Sequence, residues 1–486
     1  MTAIYELTKH MNCRILGDKR TIVSDVCYDS RKVKKGDLFF CIEGYSVDGH
    51  DYAPDAVKNG AAALVCMREL PINVPQVIVA DSREAMALMS ARFFGYPAKR
   101  LKMAGVTGTN GKTTTTYMIK AIAERAGMKV GLVGTIVNMI GKQEVQTERT
   151  TPESLDLQRL LRRMVDEGCE MAVMEVSSHS LQLKRVFGIE FDVGVFTNLT
   201  QDHLDFHQTW DAYVKAKSML FEQSRVSIIN IDDDSAAHMM GAAGYEVVKY
   251  SVTHPADYYA EDIQISSDAT DYRLMHGSEW VDIHVNIPGV FTVYNSLAAA
   301  TACYALGIDQ YYIELGLREM KPVLGRFEVL DTRGQGYTVI LDYAHTPDSM
   351  KNTLSAIKRF APARIVTLFG CGGNRDASKR PIMAHIADEY SDYTIITSDN
   401  PRYEEPEEII KQAEAGIKDT GAEYTCIENR RDAIRYALEN AQKEDIILLA
   451  GKGHETYQEI KGVKHDFDEK VVVQEILDEL GIQPKR

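Results

Sequence analysis

Paired cysteines, long apolar runs and an excess of basic residues are all missing from this chain of 486 residues. Its eight cysteines (13, 27, 41, 66, 169, 303, 371 and 426) are scattered and form no C-x-x-C pair. That argues against a disulfide frame or a zinc site and fits reduced thiols. No stretch approaches the roughly 20 apolar residues of a membrane span, and residues 1–20 lack the apolar core of a signal peptide. The cytoplasm is the expected location, without membrane insertion. A formal charge of −15 argues against a nucleic-acid surface and against an anionic membrane, while leaving room for small anions held by local basic loops. Neither internal repeats nor low-complexity tracts occur. What is present is an ordinary globular composition, 45% hydrophobic and 26% charged, at a length that predicts about three domains.

Residues 1–100 read as a small α/β unit, with strands at 37–41, 62–66 and 74–79, helices at 54–60 and 82–94, and a boundary at Gly95-Tyr96-Pro97. From 101 onward strands alternate with helices: 102–106, 130–133, 171–176, 193–197, 227–231 and 246–250. This is the pattern of a parallel sheet covered on both faces. Segments 263–266, 272–275 and 281–287 interrupt it as antiparallel strands, before a helix at 295–306. Alternation restarts after 321–326, with strands at 339–341, 365–369, 393–397, 423–427 and 446–449 and a final helix at 471–480. The expected fold is therefore α/β in three domains. A small N-terminal one spans 1–100, a central phosphate-loop domain with a mostly parallel sheet and an antiparallel extension spans 101–327, and a Rossmann-like C-terminal domain spans 328–486.

The most telling segment is Gly105-Val106-Thr107-Gly108-Thr109-Asn110-Gly111-Lys112-Thr113-Thr114, between an apolar run and a helical pattern from Tyr117. A glycine-rich turn there offers backbone N–H groups and a helix N-terminus to an anion, Lys112 offers charge to phosphate oxygens, and Thr113 a hydroxyl to magnesium. A bound nucleoside triphosphate is expected. The strict G-x-x-x-x-G-K-[ST] form would put glycine at 106, where valine stands, so the loop is a variant.

Glu175 ends an apolar strand, a position suited to holding magnesium, and the polar cluster Asn198 to Asp205 makes His203 a further ligand candidate. Lys217 lies on an amphipathic helix, and by residue type alone it is expected in solvent. Arg326, near an expected domain boundary, is placed to reach a γ-phosphate. Asp342, Asp399 and Gly451 all follow strands of the third unit, where open α/β sheets bind ligands.

Taken in order, these motifs resemble the Mur ligase family of peptidoglycan precursor synthesis, and the resemblance runs essentially end to end. Its markers are Asp29-Ser30-Arg31, Gly36-Asp37-Leu38-Phe39, Asp48-Gly49-His50, the phosphate loop with its Val106, Thr150-Thr151-Pro152, Glu175 to His179, Asp202 to Asp205, the Lys217 helix, Arg326, Asp342 to Pro347, Asp399 to Arg402 and Gly451 to Glu455. The resemblance implies an ATP-dependent ligase that joins meso-2,6-diaminopimelate to the glutamyl carboxylate of UDP-N-acetylmuramoyl-L-alanyl-D-glutamate through an acyl phosphate. It implies ATP contacts at Gly108, Thr109, Asn110, Gly111, Lys112, Thr113, Thr114, Asn295, Arg326 and Asp342. Around Asn295, where relatives read Phe-Asn-Val-Tyr-Asn, this chain has Thr292. Ser30, Thr150, Thr151, Ser177 and Arg185 would hold the UDP-sugar-dipeptide, the first from a UDP-sugar-binding N-terminal domain. Arg375, Asp399, Asn400, Pro401, Arg402, Gly451 and Glu455 would hold the amino acid, with Arg402 on the distal carboxylate and Glu455 on the ammonium. Thr113, Glu175, His203 and Lys217 would hold Mg2+, with Lys217 carbamylated by CO2 into an anion. Lys112, Lys217, His203 and Glu175 form the implied catalytic set, in a monomer.

Other readings make different predictions. L-lysine as the amino acid would leave Arg402 without its carboxylate, which is costly for a buried arginine. Folylpolyglutamate-type ligation leaves the Asp29-Ser30-Arg31 region unexplained. A phosphate-loop kinase or regulator gives the third domain no task.

Overall fold

The computed structural model describes residues 1–44, 47–147 and 149–483, and their side chains except those of Leu204 and Asp205. Apolar runs flanked by turn residues build three α/β sheets in succession. The N-terminal sheet has five strands in the order Cys13–Leu16, Gln76–Val79, Ala63–Cys66, Leu38–Phe40 and Val26–Cys27. The central sheet has eleven. At its middle Lys102–Thr107 lies between Met171–Glu175 and Phe191–Phe196, parallel to both, so that the phosphate loop leaves the sheet between the carboxyl ends of two neighbours. Beyond Tyr258–Ile265, the strands Thr270–His276 and Glu279–Val285 turn antiparallel and extend one edge, as expected from the break in alternation.

The third sheet runs Glu328–Leu330, Thr338–Asp342, Ile446–Ala450, Ile365–Cys371, Tyr393–Ser398 and Tyr424–Cys426, all parallel except the first. The second and third units are not separate cores. One apolar cluster runs from Ile119 and Ile122 through Val293 and Leu297 to Phe327, Met350 and Ile357, and Phe291 meets Phe327 with ring centroids 5.8 Å apart.

Two helices start earlier than their apolar pattern. The helix after the phosphate loop begins at Lys112, because the threonine hydroxyls in its first turns find partners: Thr116 Oγ1 donates to Thr113 O at 2.8 Å. Val290–Ala305 starts five residues before Asn295, which leaves that residue mid-helix and buried. The apolar pattern does not predict three hairpins, Asn138–Ile140 with Gln143–Val145, Glu328–Leu330 with Thr338–Asp342, and Tyr457–Ile460 with Val463–Asp466.

Arg430 fixes the strand ends that carry the third unit's polar loops. It is fully buried, pairs with buried Glu469 at 2.7 Å, and donates to Ser398 O (3.3 Å) and Ala450 O (2.8 Å). Replacing Arg430 by methionine strands the Glu469 charge, and a loss of roughly 3–5 kcal/mol is expected. Native-state hydrogen exchange across Tyr393–Ser398 and Ile446–Ala450 should register it. Unchanged protection there would rule out this role.

Candidate active site

The phosphate loop is stitched to the next strand's exit. Thr109 N donates to Asn198 O (2.8 Å), Asn110 N to Asn198 Oδ1 (2.9 Å) and Thr197 Oγ1 to Asn110 O (2.6 Å). Val106 is explained by register: it sits inside the strand, fully buried, opposite Glu175 on one side and Val195 on the other. The turn therefore begins at Gly108, where a Cβ would collide with Thr197 Oγ1.

Thr109, Asn110, Gly111, Lys112, Thr113, Thr114, Asn295, Arg326 and Asp342 line one cleft of about 480 Å³, together with Glu175, His203, Thr150 and Ser177. Its size suits a small-molecule ligand. Thr113 Oγ1 donates to Glu175 Oε2 at 3.0 Å, and Thr135, which the sequence analysis missed, donates to both carboxylate oxygens through N (2.8 Å) and Oγ1 (3.0 Å). Thr135 follows a strand's carboxyl end, the same signal that singled out Glu175. Thr115 Oγ1 meets Asn295 Oδ1 at 3.5 Å. His203, in a left-handed backbone conformation, keeps 42% of its side chain exposed to the cleft. Desolvation pushes its pKa down against the pull of Asp202.

Lys217 is not in solvent. The residue is 1% exposed, and its Nζ donates to Gly108 O at 2.7 Å, with the Tyr213 ring 4.9 Å away. Lys112 Nζ donates to the same carbonyl (2.9 Å) and to Thr109 O (2.8 Å). Two amines, Lys217 buried and Lys112 half-buried, thus converge on one oxygen. Burial first, and Lys112 second, lower the Lys217 pKa far below its ordinary value.

Across the cleft, the turn leading into the third sheet and the helix Pro347–Phe360 reach in. Arg326 Nη2 donates to Thr113 Oγ1 (3.2 Å) while its guanidinium stacks on Tyr343 (4.6 Å), and Asn110 Nδ2 donates to Asp348 Oδ2 (2.7 Å). Asp342 accepts from Phe327 N (2.7 Å), Ala344 N (3.0 Å) and Thr353 Oγ1 (3.2 Å), which fixes the Arg326–Phe327 turn. Burial raises its pKa.

Thr151 Oγ1 donates to Glu175 O (2.8 Å), and Arg185 donates to Thr151 O (3.1 Å) and pairs with Glu153 (2.9 Å). Ser177 caps the short helix Ser178–Gln182. These residues flank the cleft, whereas Ser30 stands apart on the 3-10 helix Ser30–Lys32 of the N-terminal unit. Asp205, part of the polar cluster, lies outside the described side chains.

The expected amino-acid residues form a second cluster. Asn400 Nδ2 donates to Glu455 Oε2 (2.8 Å), and Arg402 donates to Gly373 O (2.9 Å) and pairs with Glu459 (3.3 Å). Gly372 lies against both Arg402 and Arg375, and Pro401 O accepts from Glu404 N (3.0 Å). Glu459 comes from the unanticipated hairpin. Gly451 opens the loop that carries Lys452 and Glu455, and that loop touches the Arg326 segment through glycines. A Cβ on Gly325 would collide with His454 N, and one on Gly453 would lie 2.7 Å from Gly325 O. Both glycines have positive φ, +64° and +52°.

Three family models match in succession: Mur ligase family, catalytic domain (23–101), Mur ligase middle domain (106–303) and Mur ligase, glutamate ligase domain (325–453). A Clostridium acetobutylicum protein named UDP-N-acetylmuramoyl-L-alanyl-D-glutamate--2,6-diaminopimelate ligase 1 is 48% identical over 470 residues, covering 96% of this chain and 97% of the relative. A Caldanaerobacter subterraneus subsp. tengcongensis protein of the same name without the numeral is 48% identical over 479 residues, covering 98% and 99%. A solved structure of a UDP-N-acetylmuramoyl-L-alanyl-D-glutamate--2,6-diaminopimelate ligase superposes with a TM-score of 0.71 at 33% identity, covering 99% of both chains.

Proposed function

The chain belongs to the Mur ligase family, and we infer that its cleft joins meso-2,6-diaminopimelate to the glutamyl carboxylate of UDP-N-acetylmuramoyl-L-alanyl-D-glutamate at the expense of ATP. The observation that carries this reading is the seam itself. The phosphate loop of the central sheet faces Arg326, from the turn that leads into the third sheet, and a polar cluster for a third ligand lies on that third unit. One assay tests it: phosphate release with ATP, the UDP-sugar-dipeptide and a panel of diamino acids. Turnover should require meso-diaminopimelate. Faster turnover with L-lysine would overturn the choice of amino acid, and ATP turnover without any acceptor would favour a kinase or regulator.

In the first step a glutamyl carboxylate oxygen attacks the γ-phosphorus, the bond to the ADP oxygen breaks, and ADP leaves an acyl phosphate behind. The difficulty is the repulsion between two anions. Lys112 supplies charge at the phosphate loop, and Arg326 supplies a planar fork to the γ-phosphate from the far side. In the second step the amine nitrogen attacks the acyl carbon, phosphate departs with its oxygen, and the amine proton passes to solvent. Ser30, Thr150, Thr151, Ser177 and Arg185 hold the UDP-sugar-dipeptide, and Asn295 the adenine.

The hydroxyl of Thr113 and the carboxylate of Glu175, joined at 3.0 Å in the cleft that His203 also lines, are with it oxygen and imidazole donors that fit Mg2+. Bound there, Mg2+ neutralises phosphate charge. Lys217 fits a carbamate, because its buried amine meets a second lysine at one carbonyl, and burial first and Lys112 second favour its uncharged form, which is nucleophilic toward CO2. The product is an anion facing Lys112, in place of two like charges.

Arg402, with Arg375 beside it, takes the distal carboxylate of diaminopimelate, and Glu455 takes the ammonium. Replacing Arg402 by alanine should reduce the preference for diaminopimelate over L-lysine roughly tenfold to a hundredfold, the worth of a charge-assisted hydrogen bond. The ratio of kcat/KM values for the two amino acids measures it, and an unchanged ratio would remove Arg402 from specificity.

A further inference from the structure

The amino-acid cluster contains a charge that the chemistry above does not use. The Lys452 side chain is completely buried, at 0% exposure. Its Nζ lies 3.2 Å from Glu455 Oε2, 3.5 Å from Asp399 Oδ1 and 3.3 Å from Asn400 Oδ1. It stands outside the lining of the nucleotide cleft. A buried ammonium is expensive unless it is paired, and here it is paired with two carboxylates from two different loops.

Asp399 Oδ1 carries a second signal. It is buried and accepts no hydrogen bond among the described residues, so that Lys452 at 3.5 Å is the cation facing it. An incoming ammonium would satisfy it. With each group at its ordinary charge, two carboxylates and one ammonium leave a single net negative charge, which matches one substrate ammonium.

We propose that Lys452 is a positioning residue that sets the charge of the amino-acid pocket, keeping Asp399 and Glu455 ionised together so that the pair receives the substrate ammonium. This rests on the ligase reading above. Two neighbouring buried carboxylates resist joint ionisation. Burial and then Asp399 raise the Glu455 pKa, while Lys452 and Asn400 hold it down. Tyr343 and Tyr457 are the other titratable groups that interact with Glu455. Without Lys452, the Glu455 pKa rises further. Its charge is present only above that pKa, so binding of the ammonium weakens as pH falls.

The test uses the full-length enzyme, with phosphate release as readout at saturating ATP and UDP-sugar-dipeptide. Lys452→Met is expected to raise the KM for diaminopimelate roughly tenfold or more at neutral pH, and further as pH is lowered, with the KM for ATP unchanged. Asp399→Asn/Lys452→Met restores the single negative charge and leaves no ammonium unpaired. It should bind diaminopimelate more tightly than Asp399→Asn alone, whose pocket is neutral. That order is the decisive result, and it holds even where Lys452→Met alone does not fold. A diaminopimelate KM in Lys452→Met equal to that of the wild type, or weaker binding by the double variant than by Asp399→Asn, would overturn the proposal. Failure of the wild-type enzyme to use diaminopimelate would instead sink the ligase reading.

Discussion

Lys217→Ala should lose roughly a hundredfold to a thousandfold in kcat, the cost of removing one preorganised charged group from a reacting centre, and added acetate or formate should return part of it. The expectation follows from where the amine lies. Lys217 is buried behind the phosphate loop, 2.7 Å from Gly108 O, and shares that oxygen with Lys112. Burial of the amine, and after it the second cation at the same carbonyl, drive the Lys217 pKa far down. The uncharged form of the amine, which both effects favour, adds to CO2, loses a proton to water and becomes a carbamate. The like-charge clash then becomes an ion pair with Lys112. A small carboxylate diffusing into the space left by alanine supplies the same anion, whereas ethylamine does not. Wild-type activity should also fall in CO2-free buffer and recover on adding bicarbonate. An alanine variant that works at full rate, or one indifferent to acetate and formate, would dispose of the carbamate.

Arg326→Ala should cost about 10³-fold in kcat, the lower end of what an arginine on a transferring phosphoryl group contributes. KM for diaminopimelate should stay within about twofold, since a group acting only at the phosphoryl centre leaves amino-acid binding alone. The guanidinium is anchored on the Tyr343 ring, and Nη2 already reaches Thr113 in the phosphate loop. Its Nε is buried without a hydrogen bond among the described residues. Both features describe a fork held ready for an anion. Lysine is not a substitute, because a point charge reproduces neither the stack nor the fork, so Arg326→Lys should recover little. Retention of a tenth of the wild-type kcat in Arg326→Ala would remove this arginine from the phosphoryl step.

Much of this arrangement can be read from the residues. Met171–Glu175 is buried along its whole length, and its apolar run announces a central strand with a carboxylate at the end that binds ligands. Lys217 shows how a correct signal is outweighed. In the helix Trp210–Glu222, buried Tyr213, Lys217, Leu220 and Phe221 fall at helical spacing, so the period puts the lysine on the inner face while its residue type argues for solvent. The hairpin that supplies Glu459 gives no such signal, because Val463–Asp466 is exposed throughout and has no apolar alternation. Lys452 sits between two glycines in a loop, where no period exists to report burial. The pairing of Asp399 with Glu455 through Lys452 joins positions far apart in the chain, and only the strand order Thr338–Asp342, Ile446–Ala450, Ile365–Cys371, Tyr393–Ser398 brings them together.

The glycine contact between the Arg326 turn and the Lys452 loop bears on how such sequences can diverge. Gly325 and Gly453 touch backbone to backbone; a side chain on Gly325 would run into Gly453 and His454, and one on Gly453 into Gly325 and Tyr343. Each also holds a left-handed backbone conformation that other residues enter only at a cost. Neither position can drift alone. A descendant that replaces one glycine must rebuild the opposite loop in the same lineage, so the two sites, more than a hundred residues apart in the chain, should be inherited as one character.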